Sequence, residues 1–420
     1  MAGRCGLSRS TEPSSQQPSR WFLSALPGFC ATFTGIGLGR FAYTALVPQL
    51  VGSGQVDAAS AGYLGAANFI GYFLGALMAH RLGRAAGAVP AIKLAMLLSV
   101  VSFAASAVPL GFWWLAACRF LVGVTGAVLL IQAASVILSS VRQVERGRAG
   151  GVIVTGVGIG IVLSSLVIAP LAAAGTGWVW LALAGLALIA TLIAWPLWPA
   201  PAPIAATTAE PMADAAIGKG TALAAPVLLL LLGYTLDGAG FVPHSIFWVD
   251  FIARDLGLGA GWGSASWLLF GIGAALGPMT VGLIGDRLGL GPTLMLCFAV
   301  KAAGILLPAM TTAAPALALS SLVVGALTPG TTALVSARIA EALSGSLGGG
   351  PASRAQQSRV WGLATLGFSV AQAAGGYGFS FAFARSGAYP PLFVAGGLLE
   401  LGGLFLASLA WAADRRPVRA

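Results

Sequence analysis

Charge is what this 420-residue chain has least of. Asp, Glu, Lys and Arg make up only 8% of it, where an ordinary soluble domain carries about 25%. The 22 basic and 12 acidic side chains are too few to cover a water-facing surface of this size. Histidine occurs twice, and the four cysteines (Cys5, Cys30, Cys118, Cys297) are scattered. That excludes a disulfide scaffold, an iron–sulfur centre and a multi-cysteine zinc site, so no metal and no cofactor are expected. The 59 glycines follow no three-residue period, which excludes a collagen-like chain.

What the chain has in abundance is apolar surface. Hydrophobic residues reach 58%, and the mean hydropathy is +0.91. One helix across the hydrocarbon core needs about 20 apolar residues. The apolar runs predict twelve of them, at 22–47, 59–80, 88–109, 112–138, 149–171 and 177–198, then 222–249, 260–283, 291–310, 314–337, 360–383 and 388–411. The expected fold class is an all-α integral membrane protein with twelve transmembrane helices in two six-helix bundles. Residues 1–21 read as a polar N-terminal arm without a signal-peptide pattern, 22–198 as the first bundle and 199–220 as a linker. Residues 221–411 form the second bundle and 412–420 a tail. The linker is rich in Ala and Pro, which suits a flexible joint between bundles that move relative to each other.

Lysine and arginine crowd cytoplasmic loops, so their placement sets the orientation. With both termini cytoplasmic, sixteen of the 22 fall on that side: Arg4, Arg9, Arg20, Arg81, Arg84, Arg142, Arg146, Arg148, Lys219, Arg287, Arg338, Arg354, Arg359, Arg415, Arg416 and Arg419. Arg254 and Arg385 fall outside, and Arg40, Lys93, Arg119 and Lys301 lie within spans. The net charge of +10 is therefore an orientation signal spread over short loops, and no nucleic-acid partner is expected. Trp113, Trp114, Trp178 and Trp180 near outer helix ends fit an interfacial belt.

An internal repeat follows the second span of each half. Arg81-Leu82-Gly83, preceded by His80 and followed by Arg84, matches Arg287-Leu288-Gly289, preceded by Gly282 and Asp286, at an offset of 206 residues (83 to 289). The second copy resembles the Gly-x-x-x-Asp-Arg-x-Gly signature that joins helices two and three, and eight and nine, in the major facilitator superfamily. The first copy departs from it, with Ala76 in the glycine place and His80 in the aspartate place. Arg119-x-x-x-Gly123 looks like the helix-four arginine motif of that superfamily. More narrowly, Gly37, Gly39, Arg40, Phe41, Tyr43, Thr44 and Pro48, followed by Ala61, Gly62, Asn68, Gly71 and Tyr72, are similar to the first two helices of the YbfB/YjiJ branch. The resemblance implies a transporter of the bacterial inner membrane, working as a monomer, whose gating loops would carry His80, Arg81, Gly83, Arg84, Gly282, Asp286, Arg287 and Gly289.

Charged groups in mid-bilayer are costly and mark functional paths. Arg40 and Arg119 would attract a carboxylate or phosphate, since guanidinium binds both in bidentate fashion. Tyr43, Thr44, Asn68, Tyr234 and Gln372 are the uncharged polar candidates for the substrate cavity. Asp237 is the expected proton-coupling group, with Arg119 and His244 as further candidates. A permanent bond from Asp237 to an arginine or to Lys301 is the competing possibility, and packing or an assembly contact is the expected role of Glu400 and Lys301 on peripheral helices. No GxxxxGK[ST] loop is present, so the expected energy source is an ion gradient, protons first, or the substrate's own gradient. The expected partners are a small-molecule substrate, protons and the lipid bilayer. The expected activity is secondary transport of an organic anion or zwitterion by alternating access. Amphiphile efflux and a non-transporting membrane sensor are the alternatives, and clustered acids or histidines that would mark an enzyme are missing.

Overall fold

The computed structural model describes residues 21–199, 223–347 and 351–414. Most of the expected arm (1–21), linker (199–220) and tail (412–420) lies outside these residues. Among the described residues the chain forms twelve long helical segments and no strand. They are α1 Trp21–Gly52, α2 Ala58–Ala86, α3 Ala88–Ser106, α4 Phe112–Ser140, α5 Arg146–Leu171 and α6 Thr176–Ala194, followed by α7 Ala225–Asp255, α8 Gly259–Leu288, α9 Leu290–Met310, α10 Ala314–Leu347, α11 Pro351–Ser386 and α12 Pro390–Asp414. All but α11 are long and apolar enough to cross a membrane. The exception begins with the polar stretch Ser353 to Arg359 and continues rich in Gly and Ser.

Short connections reverse the chain, so α1 begins and α12 ends on one face, here the terminal face. Loops 53–57, 256–258 and 387–389 lie on the opposite face. The α2 N-terminus on that face is capped by Asp57, whose carboxylate accepts from the Ser60 amide at 2.8 Å and from its hydroxyl at 2.9 Å. Trp113 and Trp178 are exposed as an interfacial belt requires, but Trp180 is buried against the Phe103 ring and does not belong to it.

Within each half, the closest packing is between the second and fourth helices of that half. A methyl group added at Gly71 or Gly123 would strike the backbone of the partner helix, α4 or α2. The same holds for Gly273 and Gly325 between α8 and α10. These positions are related by an offset of 202 (71 to 273, 123 to 325), and so are the turns: Gly87 (φ 87°) before α3 and Gly289 (φ 85°) before α9. Both adopt a left-handed conformation that favours glycine. The repeat thus has a structural register four residues shorter than the string match. Gly83 is not the counterpart of Gly289; it lies inside α2, where its missing side chain makes room for the Gln132 amide. His80, Arg81 and Arg84 are also helical, as are Gly282, Asp286 and Arg287 in α8, because both helices continue past the apolar run.

The halves meet through α1 with α7 and α8, α2 with α11, and α5 with α8. Thr44 donates to the Ser245 carbonyl, and the Trp267 indole donates to the Phe41 carbonyl at 2.9 Å. Gly62 sits under Phe247 and Ser380, Gly65 under Ile246, and Gly376 under Ala66 and Phe69. The contacts of Thr44, Trp267, Gly62, Gly65 and Gly376 lie in the halves of their helices nearer the opposite face, while α5 and α8 also meet at mid-helix, where Gly158 packs on Ala275.

Candidate functional site

Helix α1 widens into a π-helical stretch over Phe33–Phe41. Such stretches are rare and concentrate at functional sites. Glycines make this one possible: Gly35 rests on Gly126 and Leu129 of α4, and Gly37 rests on Gly160 of α5. Gly39 presents its carbonyl to two buried donors. Arg119 Nη1 donates to it at 2.7 Å, and Asn68 Nδ2 at 3.4 Å while also donating to the Arg119 carbonyl at 3.1 Å. The Arg119 guanidinium lies over the Tyr43 ring, 4.3 Å from its centroid, and the Tyr43 hydroxyl donates to the Ala61 carbonyl at 2.8 Å. Arg119, Asn68 and Tyr43 therefore tie α1, α2 and α4 together around the π-helical stretch.

Arg40, the next residue, is in a different condition. It is 8% exposed, and its guanidinium carbon faces the rings of Phe69 at 4.6 Å, Tyr72 at 5.1 Å and Phe41 at 5.7 Å. Its Nε and Nη2 are buried without a hydrogen-bond acceptor, and it forms no ion pair among the described residues. Cation–π contacts of this kind are worth about 0.5–2 kcal/mol each. Desolvating an unpaired charge costs several kcal/mol. The aromatic faces alone do not offset that cost, which leaves a cationic site short of an anion.

Gln372 on α11 is a further unsatisfied group. It is fully buried, and neither its amide oxygen nor its amide nitrogen has a partner. Gly376, one turn further along the same face of α11, packs on Phe69, the ring that Arg40 covers. Phe368, one turn earlier, stacks on Tyr234 with centroids 4.7 Å apart. Arg40 of one half and Gln372 of the other thus flank a common aromatic seam. Of the other cavity candidates, Thr44 joins the halves as described, and the Tyr234 hydroxyl donates to Thr332 Oγ1 at 3.2 Å.

Asp237 is fully buried and ion-paired with Lys301 of α9. Lys301 Nζ also lies 3.3 Å from Glu400 Oε1 of α12, and its charge faces the Phe241 ring at 5.1 Å. All three side chains are inaccessible to solvent. Each was visible in the sequence as a charge in mid-span, and an Asp237–Lys301 bond as one possibility, but the convergence of all three was not. His244 is likewise buried: its Nε2 shares a hydrogen bond with Ser320 Oγ at 2.9 Å, and its ring stacks on Trp248. Sequence reasoning passed over Asp250, which accepts from Tyr389 and from Arg254 Nε at 2.7 Å near the opposite face. Its position at the end of an apolar run gave no signal. Among the described residues no group of three potential ligands is placed to hold a metal.

Comparison with known proteins bears on this arrangement. A family model described as the uncharacterised MFS-type transporter YbfB matches residues 32–407. The chain belongs to this family. It is thus a multi-pass membrane transporter of the major facilitator superfamily rather than an enzyme. Solved structures agree on the fold. A mutant of the nucleoside transporter NupG is similar with a TM-score of 0.71 at 15% identity, over 93% of this chain and 99% of that one. A D-xylose–proton symporter gives 0.70 at 15% identity, over 93% and 96%. The partially occluded inward-open xylose transporter XylE from E. coli gives 0.68 at 14% identity, over 95% and 100%. No curated protein sequence matches.

Proposed function

We propose that this YbfB-family protein is a proton-coupled secondary transporter whose substrate is a small organic anion or a zwitterion with a carboxylate. The observation that carries the reading is Arg40: a buried guanidinium with aromatic rings on its faces, Nε and Nη2 unsatisfied, and no ion pair among the described residues. A substrate carboxylate accepts from those N–H groups, and the Gln372 amide across the seam supplies a donor or acceptor from the other half. Binding that needs both halves favours the closed arrangement, which is what alternating access requires. Proton coupling is assigned to the buried Asp237 and its partners, with His244 in the same half. Arg119 serves this site indirectly, by holding the π-helical stretch that presents Arg40.

The reading places both termini in the cytoplasm of a bacterium and the protein in the inner membrane, as a monomer. The halves are then closed on the outer side, and the substrate exchanges with the cytoplasm. The helix-end segment from His80 to Arg84, with Gly282 to Gly289 in the second half, would flex as the cytoplasmic side opens.

The test is a thermal-shift titration of the purified protein with a panel of aliphatic and aromatic carboxylates. At least one stabilises the wild type, and Arg40→Gln weakens that ligand by about tenfold to a hundredfold, the equivalent of about 1.5–3 kcal/mol for a hydrogen bond to a charge. Equal affinity in wild type and variant overturns the anion site. Stabilisation by amphiphilic cations alone favours efflux of such compounds instead.

A further inference from the structure

Two carboxylates and one ammonium occupy a solvent-free site where α7, α9 and α12 meet. With all three ionised, the site holds one uncompensated negative charge. Desolvating a carboxylate costs several kcal/mol, so an excess charge there is expensive. One proton removes it. Which acid takes the proton follows from the contacts. Asp237 Oδ1 accepts directly from Lys301 Nζ in the closer of the two ion pairs. Glu400 stands further off, its Oε1 3.3 Å from Lys301 Nζ and less well aligned than the Asp237 Oδ1 contact.

We infer that the Asp237–Lys301–Glu400 triad is a one-proton site in which Glu400 carries the exchangeable proton. This rests on the proton-coupled reading above and names its titrating group. When the proton is bound, Lys301 and Asp237 neutralise each other, and Glu400 is a neutral acid. When it leaves, Lys301 is shared between two carboxylates and the site becomes anionic.

The position of the triad gives that charge a mechanical consequence. Helix α7 is interrupted immediately beyond it: the α-helix ends at Gly240, and a turn at Phe241 leads to the short helix Val242–Ile246. A side chain at Gly240 would strike the Glu400 carboxyl, and one at Gly396, one turn away on α12, would strike the Gly240 carbonyl. Beyond the break, Ser245, Ile246 and Phe247 form the contacts with Thr44, Gly65 and Gly62 that close the opposite face. Gain or loss of the Glu400 proton therefore acts at the joint between the fixed part of α7 and the part that seals the halves.

The other titratable groups around the triad are Tyr234 and His244 of α7 and Cys297 of α9. Tyr234 is hydrogen-bonded to Thr332, and His244 to Ser320. Cys297 is a buried thiol. None of them replaces a carboxyl group in the test below.

The test is infrared difference spectroscopy of the purified wild-type protein through a pH titration, without any substrate. The protonated carboxyl stretch should lose intensity as pH rises, with one proton released per chain, and should shift in heavy water. Glu400→Gln should abolish this band, while Arg40→Gln should leave it intact. Should Glu400→Gln fail to fold, Glu400→Asp keeps a carboxyl group and should move the band to a new frequency. A wild type without a titrating carboxyl band, or a band unchanged in the Glu400 variants, overturns the inference. A band that behaves as expected in a protein whose transport moves no protons leaves the one-proton site standing and removes the coupling reading instead.

Discussion

Arg40 and Arg119 are the same residue type at similar depth, and one hydrogen bond separates their roles. Arg119 donates through Nη1 to the Gly39 carbonyl although its Nε has no acceptor, whereas Arg40 has neither Nε nor Nη2 satisfied. Lys301 is the cation whose removal should harm the fold most. Lys301→Met leaves Asp237 buried beside Glu400 without a counter-charge and should destabilise the protein by about 3–5 kcal/mol. The triple variant Asp237→Asn, Lys301→Met, Glu400→Gln should recover most of that loss, and melting curves of the two proteins in one detergent check it. At the surface, Asp57 is held below its usual range chiefly by the Ser60 amide. A depressed carboxylate stabilises the fold above its unfolded pKa, and the benefit is lost as pH falls through the folded value. Asp57→Ala should cost about 0.5–2 kcal/mol at neutral pH. The difference from wild type should shrink once the medium is acidic enough to protonate Asp57, as melts at several pH values would reveal.

At the scale of elements, the two helix seams show how a repeat is kept when its sequence has diverged. Gly71 and Gly123 let α2 and α4 touch backbone to backbone, and Gly273 and Gly325 do the same for α8 and α10. In lipid, where apolar surface has no water to escape, such close packing replaces the hydrophobic effect. Gly123→Leu and Gly325→Leu should each cost about 1–3 kcal/mol by overpacking. Because the seams lie in different halves, the double variant should lose nearly the sum. A double variant whose melting temperature falls no further than that of the more destabilised single variant would mean that the two halves unfold as separate units. The same register explains why the string match misplaced the turn. The Arg-Leu-Gly pattern continues α2 in one half and ends α8 in the other, because Gly289 and Gly87, unlike Gly83, have the left-handed backbone that stops a helix.

For the whole molecule, the halves are joined at the opposite face by few polar contacts. Thr44→Val removes the hydroxyl that donates to the Ser245 carbonyl, a bond worth about 1 kcal/mol, and should favour opening there by about fivefold. Spin labels at Gln55→Cys and Leu258→Cys should report a larger population at long distance, and Thr44→Ser should restore the wild-type distribution. Identical distributions in all three proteins would show that this contact carries no gating energy.

The number and order of helices were legible in the sequence, because about 20 apolar residues are needed for each crossing whatever the neighbours are. Helix ends were less legible: α2 runs on through His80, Arg81 and Arg84, since backbone hydrogen bonding does not stop where apolar side chains do. The mid-span charges were legible as candidates, being costly anywhere in hydrocarbon. Only the tertiary structure decided their states. Asp237, Lys301 and Glu400 meet from three helices far apart in the chain, and Arg119 finds a carbonyl exposed by a π-helical stretch that no residue pattern announces. Burial in a membrane is a local property of each run, whereas satisfaction of a buried charge depends on which runs pack together.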